Sequence, residues 1–162
     1  MHEDTHAGDH PLREQLIRAL DWESAHIGFD AALARIPKDA RGRIVHGLPY
    51  SAWQLLEHTR LTQRDILDFC RDPNYEEPHW PDDYWPSNPE PPEPGAWDQS
   101  VESFRKDLDD MQGMVRNPSI DLFATIPHGS GQTYLREALL VIDHNAYHLG
   151  ELVVLGRLLT AA

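Results

Sequence analysis

Cysteine is nearly missing: Cys70 stands alone in 162 residues. One thiol cannot close an internal disulfide, so a stapled secreted scaffold is excluded and a reducing compartment is expected. Basic residues are scarce as well. Lys and Arg total 14 against 27 Asp and Glu, a formal net charge of −13 with histidine neutral. A phosphate backbone or an anionic bilayer would repel such a chain, which argues against nucleic-acid and polybasic membrane binding. No apolar run approaches the roughly 18 residues that span a bilayer, and the first ten residues carry no apolar stretch of a signal peptide. Also absent are a glycine-rich phosphate loop, a G-x-S-x-G elbow and an alternating pattern strong enough for a sheet. The expectation is an acidic cytoplasmic protein with one core.

What the chain does have is helical periodicity. Leu12, Leu16, Leu20, Ile27 and Ala34 predict a first helix over 11–36, opened by Pro11 and stopped by Pro37. Glu23, His26 and Asp30 lie beside that apolar stripe. Ser51 and Gln54 form a capping-box pattern for a second helix through Trp53, Leu56, Ile66 and Phe69, ending near Asp72-Pro73. Between Arg71 and Asp98 fall eight of the 13 prolines and three of the five tryptophans. Such proline density excludes a helix or a central strand. Trp80, Tyr84, Trp85 and Trp97 are too apolar for a solvated linker, so an ordered excursion is expected, either a packed crossover or a substrate lid. A third helix begins at Asp98 or Ser100 and stops at Asn117-Pro118. Thr133 caps the last and longest helix, which runs through Leu159. The expected fold is all-α, a four-helix bundle over 11–162 behind a flexible terminus at 1–10, with the Pro/Trp-rich crossover between its second and third helices.

Ten histidines are the unusual feature. His144 and His148, in His144-Asn145-Ala146-Tyr147-His148, are spaced i and i+4, so both imidazoles leave one face of the last helix about one turn apart. They share that face with Val141, Leu152 and Leu155. Two inward imidazoles either hold one metal ion or hydrogen-bond within the core, because burying them unpaired is costly. A third ligand must come from another helix, and His58, on the face of Leu55, Thr62 and Ile66, is the best candidate. Three histidines would leave coordination positions open, as catalytic sites do. His26, near Glu23 and Asp30, is an alternate ligand, a residue orienting a ligand, or a plain capping or interhelical contact. A zinc protease would place Glu after its first histidine as general base. Here that position is Asn145, and protease chemistry is rejected. His128, in a Pro-Gly loop before the last helix, could line the mouth of the site. His79 and His46 are weaker candidates, and His2, His6 and His10 sit in the polar terminus. Cys70 reads as structural.

The run from Gly47 to His58 (GLPYSAWQLLEH) resembles the second-helix motif of the DinB-like, YfiT-related metalloenzymes. The run from His128 to Glu137 (HGSGQTYLRE), continued by Asp143 to Leu152 (DHNAYHLGEL), is similar to the same family's last-helix signature. The similarity takes in Ala25-His26 and Phe29-Asp30 too, and so covers nearly the whole chain. The resemblance implies an up-down-down-up bundle, often a homodimer, with a metal triad at His58, His144 and His148 holding nickel, zinc or a similar divalent ion. Relatives in fold include mycothiol-dependent maleylpyruvate isomerases and bacillithiol transferases, which implies a low-molecular-weight thiol activated by the metal.

The function expected is therefore divalent-metal-dependent chemistry on a small molecule: thiol S-transfer, isomerisation or hydrolysis. His26 and His128 are the candidate proton carriers, and Trp85 or Trp97 the candidate pocket walls. Two other readings stand beside it. One is a stress-related metal- or ligand-binding module without turnover, and the other a core of mutually hydrogen-bonded histidines. An all-histidine site should lose its ion as pH falls below about 6, near the ordinary imidazole pKa.

Overall fold

The computed structural model of the chain describes residues 9–21 and 25–161. Among these residues the regular elements are helical: α1 (His10–Asp21), α2 (Phe29–Leu33), α3 (Ala52–Arg71), α4 (Ala96–Arg116) and α5 (Tyr134–Ala161). A single bridge, Thr125 to Thr133, is the only β-type pairing among them. No helix among the described residues is long and apolar enough to cross a membrane.

Local chemistry sets several of the ends. The Ser51 hydroxyl accepts from the Gln54 amide (3.2 Å) while the Gln54 side chain accepts from the Ser51 amide (3.0 Å), the expected capping box at the head of α3. Thr133 accepts from the Arg136 amide (3.1 Å) at the head of α5, as expected. α4 starts two residues before the earlier of its two expected starts. Gly95, in the left-handed region at φ 92°, turns the chain there without any side-chain cap.

The single helix expected over 11–36 is corrected. α1 ends at Asp21, and the separate short helix α2 begins at Phe29 behind Gly28, whose extended backbone (ψ 168°) breaks helical continuity. Of the expected repeat, Leu16 and Leu20 are buried, Leu12 and Ile27 half-buried and Ala34 exposed. Beyond the break the chain resumes in another phase, burying Phe29, Ala32 and Leu33 in the same core. The start of α1 at His10 lies inside the stretch read as flexible, while residues 1–8 are outside those described.

Four long helices enclose the core. Arg13 near the start of α1 bonds carbonyls at the end of α4, so these two run antiparallel. α3 and α4 run parallel: Glu57 meets Ser100, Gln63 reaches Phe104 and Arg71 reaches Asp110. α3 and α5 are antiparallel, with Tyr50 just before α3 bonded to Glu151 and Gln63 to Asn145. The path is up-down-down-up. Parallel neighbours need a long return, and the proline-rich segment supplies it. That segment is tied along α3 by Ser51 to the Pro89 carbonyl (2.6 Å), Gln54 to Pro86 (2.8 Å), and Tyr75 and Tyr84 to Asp65 (2.6 and 2.8 Å).

Candidate metal centre

His58 on α3 and His144 and His148 on α5 point into one place. His58 Nε2 lies 3.1 Å from His148 Nε2 and 3.2 Å from His144 Nε2, and the three atoms all fall within 4.8 Å of one another. His58 and His148 are buried and His144 is half-buried. Three nitrogens at about 2.0–2.1 Å from a tetrahedral ion stand about 3.3 Å apart, close to the two short spacings seen.

The protons on these rings follow from their other contacts. His58 Nδ1 faces the Tyr84 carbonyl (3.1 Å), and His148 Nδ1 faces a carboxylate oxygen of Glu151 (2.6 Å). Both partners only accept, so both rings carry their proton on Nδ1 and turn an Nε2 lone pair inward. The 3.1 Å contact between those nitrogens then has no hydrogen in it. If His144 donates from Nε2 to His58, the His58–His148 pair still faces lone pair to lone pair, and the buried His144 Nδ1 has no partner among the described residues. With all three rings neutral, mutual hydrogen bonding of the core histidines therefore falls short by a proton, and either an added proton beside Glu151 or a metal cation removes the deficit. Burial first, then the neighbouring His148, presses the His58 pKa down to about 4. Burial, then His148 and His58, presses His144 to about 3. Neutral rings are the ligating form.

The surroundings hold the rings still. Trp85 stacks on His58 at 3.8 Å between centroids and 7° between planes, and the exposed Trp80 meets it edge-on at 6.2 Å. Tyr147 packs edge-on against His148 (4.9 Å). Tyr50 donates to the second oxygen of Glu151 (2.8 Å), completing a Tyr50–Glu151–His148 chain. Tyr50's pKa is pushed well above the usual phenol range, by burial first and by Glu151 second, so its proton stays in place.

The other candidates lie apart. His128 is exposed, with Nε2 2.7 Å from the Phe69 carbonyl. Phe69 is eleven residues along α3 from His58, about 16 Å of helix. His26 is exposed and its Nδ1 donates to the Ile27 carbonyl (3.0 Å), while Asp30 pairs with Arg105. Trp97 is a core residue beneath the Arg41 guanidinium (4.4 Å), whereas Trp85 does form a wall of the cluster. His46 and His79 are exposed. Glu23, His2 and His6 lie outside the described residues. Sequence reasoning missed Glu151, although the three-residue step from His148 puts it on the same face of α5. It also missed Tyr50 and the Tyr84 carbonyl, which no local pattern marks.

The site thus belongs to a helical bundle with a parallel crossover and three inward histidines on two of its helices. The family model described as the DinB superfamily matches residues 22–152, and the chain belongs to that superfamily. Among curated proteins and solved structures, nothing matches the chain.

Proposed function

We propose that the protein is a divalent-metal-dependent enzyme acting on a small molecule, with His58, His144 and His148 as its metal ligands. The observation that carries this reading is the convergence of three ring nitrogens, His58 Nε2 lying 3.1 Å from His148 Nε2 and 3.2 Å from His144 Nε2, while Nδ1 of His58 and of His148 face acceptors elsewhere. When bound, nickel or zinc supplies Lewis-acid chemistry, making a thiol or water acidic enough to act as a nucleophile near neutral pH. The chain's residues hold the frame for it. The Tyr84 carbonyl and Glu151 fix which nitrogen of His58 and His148 faces inward, Tyr50 holds Glu151, and Trp85 keeps water off one face of His58. Cys70 is buried and its thiol is pushed up to about 12, by burial first and Glu137 second, so the chain's own sulfur is no nucleophile. A low-molecular-weight thiol from outside, in S-transfer or isomerisation, is accordingly placed ahead of hydrolysis. Homodimerisation in a cytoplasmic setting is proposed on the family resemblance alone, and sedimentation at micromolar concentration tests the dimer.

Equilibrium dialysis against zinc or nickel tests the ligand set. One ion per chain is expected for the native protein, with affinity at least 100-fold weaker in His58→Ala and His148→Ala. Affinity unchanged in both variants rejects the site. One observation favours the second reading, a binding module without turnover: neither His26 nor His128 has a contact with the three rings. Assay of metal-loaded protein with thiols and electrophiles separates the two, since the module shows no turnover with any pairing.

A further inference from the structure

Beside the histidine cluster, the outer face of α5 and the chain leading into α3 form an open cleft. It is lined by Leu48, Tyr50, Tyr147, Gly150, Glu151 and Val154 and has a volume of about 290 Å³. Its walls are hydrocarbon and aromatic: the Tyr147 ring is 66% exposed and Val154 50% exposed. Its polar side-chain groups are the Tyr50 and Tyr147 hydroxyls and the Glu151 carboxylate. Tyr50 donates to one oxygen of Glu151 and His148 to the other. A carboxylate offers about four acceptor positions, so two remain for an incoming donor. Among the described residues, no Lys, Arg or His lines the cleft.

We propose that this cleft is a substrate subsite for a small molecule carrying an amine on an apolar body. The ammonium or amine N–H donates to Glu151, and the apolar body lies between Tyr147, Leu48 and Val154. An ammonium near the face of Tyr147 gains a cation–π contribution as well. A carboxylate or phosphate in the same place would meet Glu151 with no cation to neutralise it, and the formal charge of −13 repels it on approach. Glu151 touches both the cleft and His148, so a molecule held there lies next to the proposed metal ligands. The subsite thus deepens the metal-enzyme reading and rests on it for the meaning of that position, although the cleft is built from the chain alone.

The test uses three probes of one shape: benzylamine, benzyl alcohol and benzoate. Binding is followed by amide chemical-shift changes in the full chain, both metal-free and zinc-loaded. Benzylamine should bind at least tenfold more tightly than benzoate, with shifts centred on Tyr147, Gly150 and Val154. Val154→Arg, at an exposed position, should abolish benzylamine binding while the rest of the spectrum is preserved. Glu151→Gln should weaken benzylamine at least fivefold and leave benzyl alcohol within twofold. Equal affinity for benzylamine and benzoate overturns the subsite, as does benzylamine binding unaffected by Val154→Arg. A dimer whose interface shifts map to the cleft, with no benzylamine bound, overturns it too. The two readings fail separately: benzylamine binding without zinc uptake leaves the subsite and removes the metal, whereas zinc uptake without benzylamine binding does the reverse.

Discussion

Glu151 is the side chain on which the cluster's geometry turns. Its 2.6 Å contact holds the His148 proton on Nδ1, and Tyr50 keeps the carboxylate from rotating away. Removing such a partner frees the imidazole to change tautomer and swing, which typically weakens metal binding 10- to 100-fold. Glu151→Ala should therefore lower zinc affinity by about that factor while the circular dichroism spectrum stays native. Tyr50→Phe keeps the carboxylate and should cost about threefold or less, in line with one neutral-to-charged hydrogen bond lost beside partial exposure. Calorimetric titration measures both. An Ala variant that binds zinc as tightly as the native chain would show that packing alone orients His148. At this scale the three converging histidines were legible and their supports were not. His144 and His148 announce themselves because a four-residue step fixes them on one helical face. Tyr84 contributes a backbone carbonyl, which carries no side-chain signature, from a segment whose path depends on long-range ties.

The helices themselves were readable where one local rule decides an end, as at Ser51 and Thr133, and misread where two rules compete. Across the break between Asp21 and Phe29 the apolar repeat changes phase, with Phe29, Ala32 and Leu33 buried and Ala34 exposed, because α2 is a separate helix set at its own angle to the core. The proline-rich crossover was legible as ordered from its aromatics, of which Tyr84 is buried and Trp85 half-buried, although Trp80 stays exposed. That it delivers Trp85 to His58 was not, since no period links loop residues to a helix 27 positions away. α1 supplies a further test. Arg13 is 6% exposed, pairs with Asp9, and donates to the carbonyls of Val115 (2.7 Å), Asn117 (3.0 Å) and Ile120 (2.6 Å). These carbonyls at and beyond the end of α4 have no later helical turn to bond them. Arg13→Met keeps much of the stem's packing but leaves carbonyls poorly satisfied, at a cost of about 2–4 kcal/mol. For a chain of this size that lowers the melting temperature by roughly 5–15 °C. A shift below about 2 °C would mean that water replaces the guanidinium without loss.

For the whole molecule, the buried imidazoles make stability depend on pH in a definite direction. Unfolded, His58 and His144 take up protons near pH ~6.5. Folded and metal-free, they stay neutral until about 4 and about 3, because burial disfavours the charged rings. Between these limits the unfolded chain binds more protons than the folded one, so stability falls as pH falls. The slope is about 1.4 kcal/mol per pH unit for each ring that remains neutral while its unfolded counterpart is charged. The overall charge works the other way, since lowering pH relieves the repulsion within a chain of net −13. Comparing the native chain with His144→Phe cancels that background, which both share. Urea unfolding of metal-free protein at pH 7.5, 6 and 5 should give a native stability that drops more steeply than the variant's. The gap between the two should approach about 1.4 kcal/mol per pH unit below pH 6. Zinc at 100 times its dissociation constant should add about 2.7 kcal/mol to the native chain at pH 7.5. That increment should shrink toward acid pH as protons compete for the ligands, with His58 and His144, whose pKa values are lowered, competing less than free imidazoles would. Parallel stability curves for native and variant protein would mean that His144 is already solvated, and the inward-facing cluster would lose its physical basis.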